Sequence, residues 1–132
     1  MIQKQAQDKG VAITTNLSPE IKEVSLDPDR IGQVLLNLYL NAIEAMDHGG
    51  TLRIDSFMDE EYGRVKVVIS DTGAGIKRED LVHLFDPYFT TKQSGTGLGL
   101  AIVHRIIEAH KGEVRVESEP GKGTTVTIIL PR

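Results

Sequence analysis

The stretch RVKVVISDTGAG, residues 64–75, runs from a strand-like segment directly into a glycine turn. Residues 64–70 are rich in β-branched side chains, which favour a pleated strand. Residues 71–75 then place an aspartate at the strand end, and two glycines follow that favour a tight turn. A turn at 60–63 precedes the stretch, so the alternating segment 51–58 is predicted to form the other half of a hairpin.

Two longer segments around this hairpin have helical patterns. The first covers residues 29–46 and ends before a glycine pair, and the second covers residues 97–110. Helices on one face of a mixed, mainly antiparallel sheet form a two-layer α+β sandwich, which is the predicted fold class. The remaining predicted elements are strands at 11–16, 23–26, 113–118 and 124–130 and a short helix at 78–84.

The composition limits the class of protein. The chain has 132 residues, of which 39% are hydrophobic and 26% charged, as expected for one globular domain. A net charge of -4 leaves no basic excess for nucleic acid, and the lack of cysteine excludes disulfides and thiolate metal sites. No apolar stretch is long enough to cross a membrane, so we expect a cytoplasmic domain without membrane contact, whether or not a longer parent protein is membrane-anchored. Residues 1–10 are expected to be the tail of a preceding helix or a linker, and residues 11–132 the domain itself.

The first long helix has a face of polar side chains. Asn37, Asn41 and Glu44 are spaced i, i+4, i+7 and therefore share one side of the helix. An asparagine carbonyl oxygen is a suitable ligand for Mg²⁺, which takes the rest of its shell from water and phosphates. The alternative is that both amides bond to nearby backbone. The main apolar stripe is predicted to contain Ile31, Leu35, Leu38, Ala42 and Ala45, widened by Leu36, Leu40 and Ile43.

Three glycine clusters follow, at 71–75, 95–99 and 121–124, and none matches a P-loop or a dinucleotide-binding fingerprint. The middle cluster leads into the second long helix, where bare backbone N–H groups favour an anion. A flexible surface loop is the alternative. In the first cluster, Asp71 can accept a hydrogen bond from an exocyclic amine such as that of adenine, while Gly73 and Gly75 let a ligand approach the backbone. An Asx-turn explains the same residues.

The segment FDPYFTTK, residues 85–92, lies between the first two clusters. Its aromatic residues are suited to pinning a movable segment, and its threonines and lysine offer donors to a phosphate. With a glycine hinge at Gly95, the segment is interpreted as a lid. The alternative is an aromatic anchor that holds a surface loop against the core.

The order of these motifs resembles a known family. An Asn-x-x-x-Asn helix, Asp-x-Gly-x-Gly, Phe-x-x-x-Phe, Gly-x-Gly-x-Gly and Gly-x-Gly-Thr resemble the N, first-glycine, F, second-glycine and third-glycine boxes of histidine kinases. These kinases belong to the wider superfamily that includes gyrase, the heat-shock chaperone ATPase and MutL. The resemblance covers roughly residues 11–131 and implies a Bergerat-type sandwich with ATP held between the helices and a lid.

The resemblance also implies roles for individual residues. Asn41 would be the metal ligand for Mg²⁺, Asp71 would bind the adenine amino group with Thr124 assisting through water, and Lys92 would meet the γ-phosphate. Asn37, Asn41 and Lys92 are the implied catalytic residues. The implied nucleotide contacts are Asn37, Asn41, Glu44, Asp71, Gly73, Gly75, Ile76, Phe89, Thr90, Thr91, Lys92, Gly95, Thr96, Gly97, Leu98, Gly99, Leu100 and Thr124.

Asn37 distinguishes the branches of this superfamily. The gyrase and MutL ATPases resemble one another in having a glutamate at this position, four residues before the metal asparagine, where it activates water. An amide cannot accept a proton usefully, so hydrolysis should be slow and the γ-phosphoryl is left for another acceptor. The short lid, with only Gln93-Ser94 between Lys92 and Gly95, resembles the nitrogen-regulator-like class of sensor kinases.

The expected phosphoacceptor histidine is not found in this chain. His83 has a proline four residues later but lacks the acidic neighbour, and His104 is better explained as a solvated i, i+4 pair with Glu108. The resemblance therefore implies partners: a histidine-containing dimerisation domain of the parent kinase and, indirectly, a response regulator. Two alternatives are a stand-alone serine kinase that inhibits a sigma factor and a non-catalytic nucleotide-sensing module.

Overall fold

A computed structural model describes residues 7, 10–17, 28–46, 48–59, 63–85 and 99–131. The strand predicted at 23–26 and most of the predicted lid lie outside these residues. Within them, the short helix predicted at 78–84 ends at Leu81, because residues 82–85 form turns instead of continuing it. The elements are β1 (Val11–Leu17), α1 (Pro28–Glu44), β2 (Gly50–Asp59), β3 (Arg64–Asp71), α2 (Arg78–Leu81), α3 (Gly99–Ala109), β4 (Glu113–Glu119) and β5 (Gly123–Pro131).

The described strands form one mixed sheet in the order β1-β2-β3-β5-β4. β1 is parallel to β2, and each of the other neighbouring pairs is antiparallel. The β2–β3 hairpin confirms the pairing predicted from the turn between the two strands. The mixed, mainly antiparallel α+β architecture is therefore the predicted one.

Alternation along the strands separates the two faces of the sheet. The register aligns apolar side chains across β2, β3, β5 and β4 on the side that the helices cover. On the other side, the same strands align polar side chains, such as Arg53, Ser70, Thr125 and Glu117. The helix-facing row at the centre of the sheet contains Ile54, Ile69, Val126 and Val116.

The helices α1 and α3 pack against this apolar face and against each other. Val103, Ile106 and Ile107 of α3 are buried in the same cluster as the sheet residues. Each fully buried aliphatic side chain of this kind stabilises the fold by about 1.5–3 kcal/mol. The junction between the two layers is thus the core of the domain.

The buried side of α1 differs from the stripe predicted from the sequence. Leu38 and Ala42 are buried as predicted, but Val34 is also buried, with none of its surface exposed, whereas Ile31 and Leu35 are half-buried. Ile43, which was predicted to widen the stripe, is buried, and so is Met46. The reason is that both the sheet and α3 cover this helix, so one stripe cannot contain all of its contacts.

The described end of α3 lies close to the predicted one. The helix ends at Ala109, and Lys111 follows in the left-handed region with φ of 60°. The N–H of Gly112 donates to the carbonyl of Ile107 at 2.9 Å, as in a Schellman motif. None of the described helices is both long enough and apolar enough to span a bilayer.

Candidate functional site

Three neighbouring strands each carry a polar side chain at one end, on the side of the sheet that the helices cover. These side chains are Asp71 on β3, Thr124 on β5 and Ser118 on β4. Ser118 and Thr124 are opposite each other in the register, and all three residues are half-buried. Two residues that the sequence predicted to contact adenine therefore lie together with a serine that no motif had indicated.

The Asp71 carboxylate is held by backbone groups from two directions. Its Oδ1 accepts hydrogen bonds from the N–H of Gly73 at 2.9 Å and from the N–H of Thr124 at 3.2 Å. The bond to Gly73 is the Asx-turn that was the alternative explanation for this residue. The bond to Thr124 goes further, because it joins the first glycine cluster to the third. Asp71 is therefore both a turn residue and a carboxylate of fixed orientation.

Gly73 and Gly75 allow the loop after β3 to pack closely against protein backbone. A Cβ on Gly73 would lie 2.5 Å from the carbonyl oxygen of Ala45, and one on Gly75 would overlap the carbonyl of Glu119. Gly75 also has φ of 76°, which favours glycine. The sequence had predicted that these glycines leave room for a ligand. In the structure, the space that each Cβ would need is filled by the chain itself.

Hydrogen bonds complete the attachment of this loop. The N–H of Ala74 donates to the carbonyl of Ala45 at 3.1 Å, just beyond the C-terminus of α1. The carbonyl of Ala74 accepts from the N–H of Gly121 at 2.7 Å, in the turn between β4 and β5. The loop is thus clamped between the end of α1 and the β4–β5 turn, and it brings the predicted metal-binding helix and two glycine clusters to one place.

Ser118 is the residue that sequence reasoning missed. Its Oγ accepts a hydrogen bond from the N–H of Ile76 at 2.7 Å, donates to the carbonyl of Gly123 at 2.9 Å and lies 2.8 Å from Oγ1 of Thr124. The sequence did contain a signal for it. Val114, Val116 and Ser118 have the same parity on β4, so a hydroxyl continues a row that otherwise faces the core.

The polar face of α1 borders the buried side of the helix. Asn37 and Asn41 are half-buried, and Glu44 is exposed. At about 100° per residue, Asn41 lies next to Val34 around the helix axis. Among the described residues, no group of three or more His, Cys, Asp or Glu side chains is placed to hold a metal. An amide oxygen as the main protein ligand fits Mg²⁺ that is bound chiefly through phosphates and water.

The first residues of α3 pack against the helix-facing side of the core. Gly99 is its first helical residue, and Leu100 is half-buried against the core. Phe85 stacks on His104 of this helix, with ring centroids 4.9 Å apart, so the beginning of the predicted lid segment contacts α3. His104 and Glu108 form the expected exposed i, i+4 pair, at 3.3 Å.

Several predicted site residues lie outside the described part of the chain, and their placement stays a prediction. They are Phe89, Thr90, Thr91, Lys92, Gly95, Thr96, Gly97 and Leu98. Of the predicted site residues that are described, Asp71, Gly73, Gly75, Ile76 and Thr124 are joined by hydrogen bonds or close packing around the sheet end.

Comparison with known proteins gives consistent results. A model of the family described as histidine kinase-, DNA gyrase B- and HSP90-like ATPase matches residues 26–132. The sensor histidine kinase ZraS of Escherichia coli (strain K12) is 43% identical over 131 residues, which are 99% of this chain and 28% of ZraS. The chain therefore spans a little over a quarter of the length of that relative.

Solved structures resemble the domain over nearly its whole length. The catalytic domain of histidine kinase ThkA has a TM-score of 0.83 and 34% identity, covering 98% of this chain and 84% of that one. Full-length ShkA in complex with AMPPNP has a TM-score of 0.87 and 30% identity, covering 98% of this chain and 27% of that one.

Proposed function

Because the chain belongs to the family of histidine kinase-, DNA gyrase B- and HSP90-like ATPases, we propose that it is the ATP-binding catalytic domain of a sensor histidine kinase. It binds Mg-ATP and donates the γ-phosphoryl group to a histidine on a separate dimerisation domain. The sequence identity with the sensor histidine kinase ZraS and the structural similarity to the catalytic domain of ThkA support this proposal. The parent protein would act in two-component signalling, with a response regulator as the indirect partner.

The observation that bears most on this proposal is the fixed carboxylate of Asp71. Two backbone N–H groups hold Oδ1, so the side chain has one orientation before any ligand arrives. A preoriented carboxylate accepts a hydrogen bond from the amino group of adenine without paying the entropy of ordering a mobile side chain. Thr124 lies beside it on the next strand and would assist through water.

Asn41 is the proposed Mg²⁺ ligand, with Asn37 and Glu44 near the phosphates. When bound, Mg²⁺ would neutralise charge on the phosphate oxygens as the phosphoryl group leaves. The protein's own contribution is to orient the nucleotide. The end of α1 is tied to the loop after β3 by the Ala45–Ala74 hydrogen bond, so the amide face and the adenine-binding carboxylate belong to one rigid junction.

The amide at Asn37 favours transfer over hydrolysis. A carboxylate at that position would accept a proton from water, whereas a neutral amide does not. Lys92 and the glycines Gly95, Gly97 and Gly99 would cover the triphosphate, as in the nitrogen-regulator-like class that the short lid resembles. The domain is proposed to work in the cytoplasm, where ATP is available.

Phosphoryl transfer in trans tests this function. The chain, Mg-ATP labelled at the γ-position and the histidine-containing dimerisation domain of the parent kinase are mixed, and the label on the second protein is measured before and after acid. We expect acid-labile phosphate on the dimerisation domain and only slow release of free phosphate by the chain alone.

Two variants of α1 make this test specific. Asn41→Ala should abolish transfer if its amide holds the metal. Gln33→Ala changes another amide on the same helix, at an exposed position away from the core, and should leave transfer unchanged. Tight ATP binding without transfer to the histidine domain would contradict the proposal, and acid-stable phosphate on a serine would favour the serine kinase instead.

A further inference from the structure

A lysine occupies a position at the end of α3 where glycine is the usual residue. Lys111 has φ of 60°, in the left-handed region that an L side chain adopts only with strain. It is the C′ residue of the Schellman motif: its N–H donates to the carbonyl of Glu108 at 2.9 Å, and the N–H of Gly112 closes the wider turn to Ile107. Glycine at position 111 would end the helix in the same way without this strain. The strain therefore indicates a role for the Lys111 side chain outside the helix cap.

Lys111 lines a cavity of about 280 Å³ on the outer side of the sheet. The cavity lies at the opposite end of β3 from Asp71, because Arg64 and Asp71 are the first and last residues of that strand. Its volume is close to the lower end of the range for small-molecule sites, about 300 Å³, so it suits a small organic molecule. The other lining residues are Arg64, Gly112, Glu113, Ile129 and Pro131.

The register places two cationic residues on either side of Pro131. Arg64 on β3 is its direct partner. β4 pairs Glu113 with Ile129, so continuing this register by two positions puts Lys111 beside Pro131 on the other side. Neighbouring strands are about 4.8 Å apart, so the backbones of Arg64 and Lys111 are separated by about 10 Å. Their long side chains can therefore converge on one anion next to Pro131.

The lining contains one carboxylate, and it is already bonded. Two hydrogen bonds from Arg115, at 3.1 and 3.2 Å, hold Glu113 and lower the pKa of its carboxyl, and the charge of Arg64 lowers it further. Arg64 also pairs with Asp59, at 3.7 Å. Lys111 forms no ion pair with any residue of the described chain. The lysine is therefore the cation in this lining that is available to an anionic ligand.

We propose that this cavity binds a small organic carboxylate, with the carboxylate between Arg64 and Lys111 and a short apolar group against Ile129 and Pro131. The guanidinium fork of Arg64 matches the two oxygens of a carboxylate, and Lys111 adds a point charge. Contact of an alkyl group with the two apolar residues adds affinity that an inorganic anion cannot gain. The site is separate from the nucleotide site, and the inference does not depend on the proposed function.

Titration of the isotope-labelled chain with sodium hexanoate tests this site, with the amide chemical shifts of Gly112, Glu113 and Ile129 as reporters. We expect saturable shifts with a dissociation constant on the order of 1 mM. Acetate lacks the alkyl chain and hexanamide lacks the charge, so both should bind about tenfold more weakly or less. Absence of saturable shifts with hexanoate, or equal binding of hexanamide, would overturn the inference. Inorganic phosphate that binds as tightly as hexanoate would show a general anion site and overturn the carboxylate assignment.

Lys111→Gly separates binding from folding, because its two expected effects have opposite signs. Glycine removes the ammonium group and relieves the strained φ, so hexanoate binding should weaken about tenfold while the urea midpoint of unfolding rises. Lys122→Gln is the control, since it removes an exposed lysine from the turn at the other end of β4 and β5 and should leave hexanoate binding unchanged. A Lys111→Gly variant that is more stable and still binds hexanoate as the wild type does would show that Lys111 is not part of a site, and the inference would be wrong.

Discussion

Two pairs of hydroxyl side chains lie one position apart along β5 but on opposite faces of the sheet. On the helix-facing side, Ser118 and Thr124 are 2.8 Å apart and are also tied to the backbone of two neighbouring segments. On the outer side, the hydroxyls of Ser70 and Thr125 are 3.2 Å apart, and among the described side-chain hydrogen bonds they bond only to each other. The residue types are the same, so the difference comes from the backbone groups that each pair can reach.

The same difference in hydrogen bonding to neighbouring segments holds for the whole helix-facing end of the sheet and the outer face. At the helix-facing end, glycine backbones, a carboxylate and a hydroxyl join α1, the loop after β3 and the β4–β5 turn. The outer face has ion pairs such as Arg53–Asp55, at 3.0 Å, in which the arginine is exposed and the aspartate half-buried. We therefore expect substitutions at the first region to affect both stability and binding, and substitutions at the second to affect neither strongly.

The largest effect is expected for Gly75→Ala. The new Cβ would overlap the Glu119 carbonyl and require a positive φ, so strain and overpacking together should cost about 3 kcal/mol or more and remove ATP binding. Gly121→Ala is the matched control, since Gly121 has φ of 80° but no heavy atom of the described chain lies within 4 Å of its Cβ. It should cost only about 1–2 kcal/mol. Denaturant unfolding measures both, and equal losses would show that close packing at Gly75 is unimportant.

A smaller loss of stability is expected for Ser118→Ala. It leaves the N–H of Ile76 and the carbonyl of Gly123 without their side-chain partner in a half-buried position, at a cost of about 1–3 kcal/mol. Ser70→Ala removes one hydroxyl pair and should cost about 0.5 kcal/mol. The free energies of unfolding in urea measure both losses. Equal losses in Ser118→Ala and Ser70→Ala would mean that the two faces do not differ in this way.

The smallest effect is expected for the ion pair of Glu113 and Arg115 on the outer face. Two hydrogen bonds from Arg115, at 3.1 and 3.2 Å, lower the pKa of the Glu113 carboxyl. Because this pKa is lower in the folded state, the pair stabilises the fold above the unfolded-state pKa and loses that contribution as the pH falls through the folded-state pKa. Both side chains are more than half exposed, so Arg115→Ala should change the Tm at neutral pH by no more than about 1 °C. A clearly larger change in Tm at neutral pH, absent at low pH, would mean that ion pairs on the outer face contribute substantially to stability.

The fold was largely predictable because the decisive patterns are local. Alternation along residues 51–58 and 64–70 and the turn between them predicted the hairpin that β2 and β3 form. The parallel pairing of β1 with β2 was not predictable in the same way, since it depends on a crossover through α1 and not on a short turn.

The site was predictable only in part, because its geometry depends on contacts between distant segments. Asp71 was identified from its place before a glycine turn, but its bond to Thr124 spans 53 positions in the chain. Ser118 has the core-facing parity of Val114 and Val116, but only the register shows that it lies opposite Thr124. Val34 was left out of the predicted stripe, yet it is fully buried, because the sheet and α3 together cover α1.

Binding of Mg-ATP to the wild type and to Asp71→Asn, followed by calorimetry, tests the central claim most directly. The asparagine oxygen can still accept from the N–H groups of Gly73 and Thr124, so the turn should persist, but one acceptor oxygen becomes a donor group. We expect affinity to fall about a hundredfold with the Tm nearly unchanged, while Asp55→Asn on the outer face leaves affinity as it is. Unchanged ATP affinity in a folded Asp71→Asn variant would contradict the account, because it would mean that the nucleotide base is not bound at this end of the sheet.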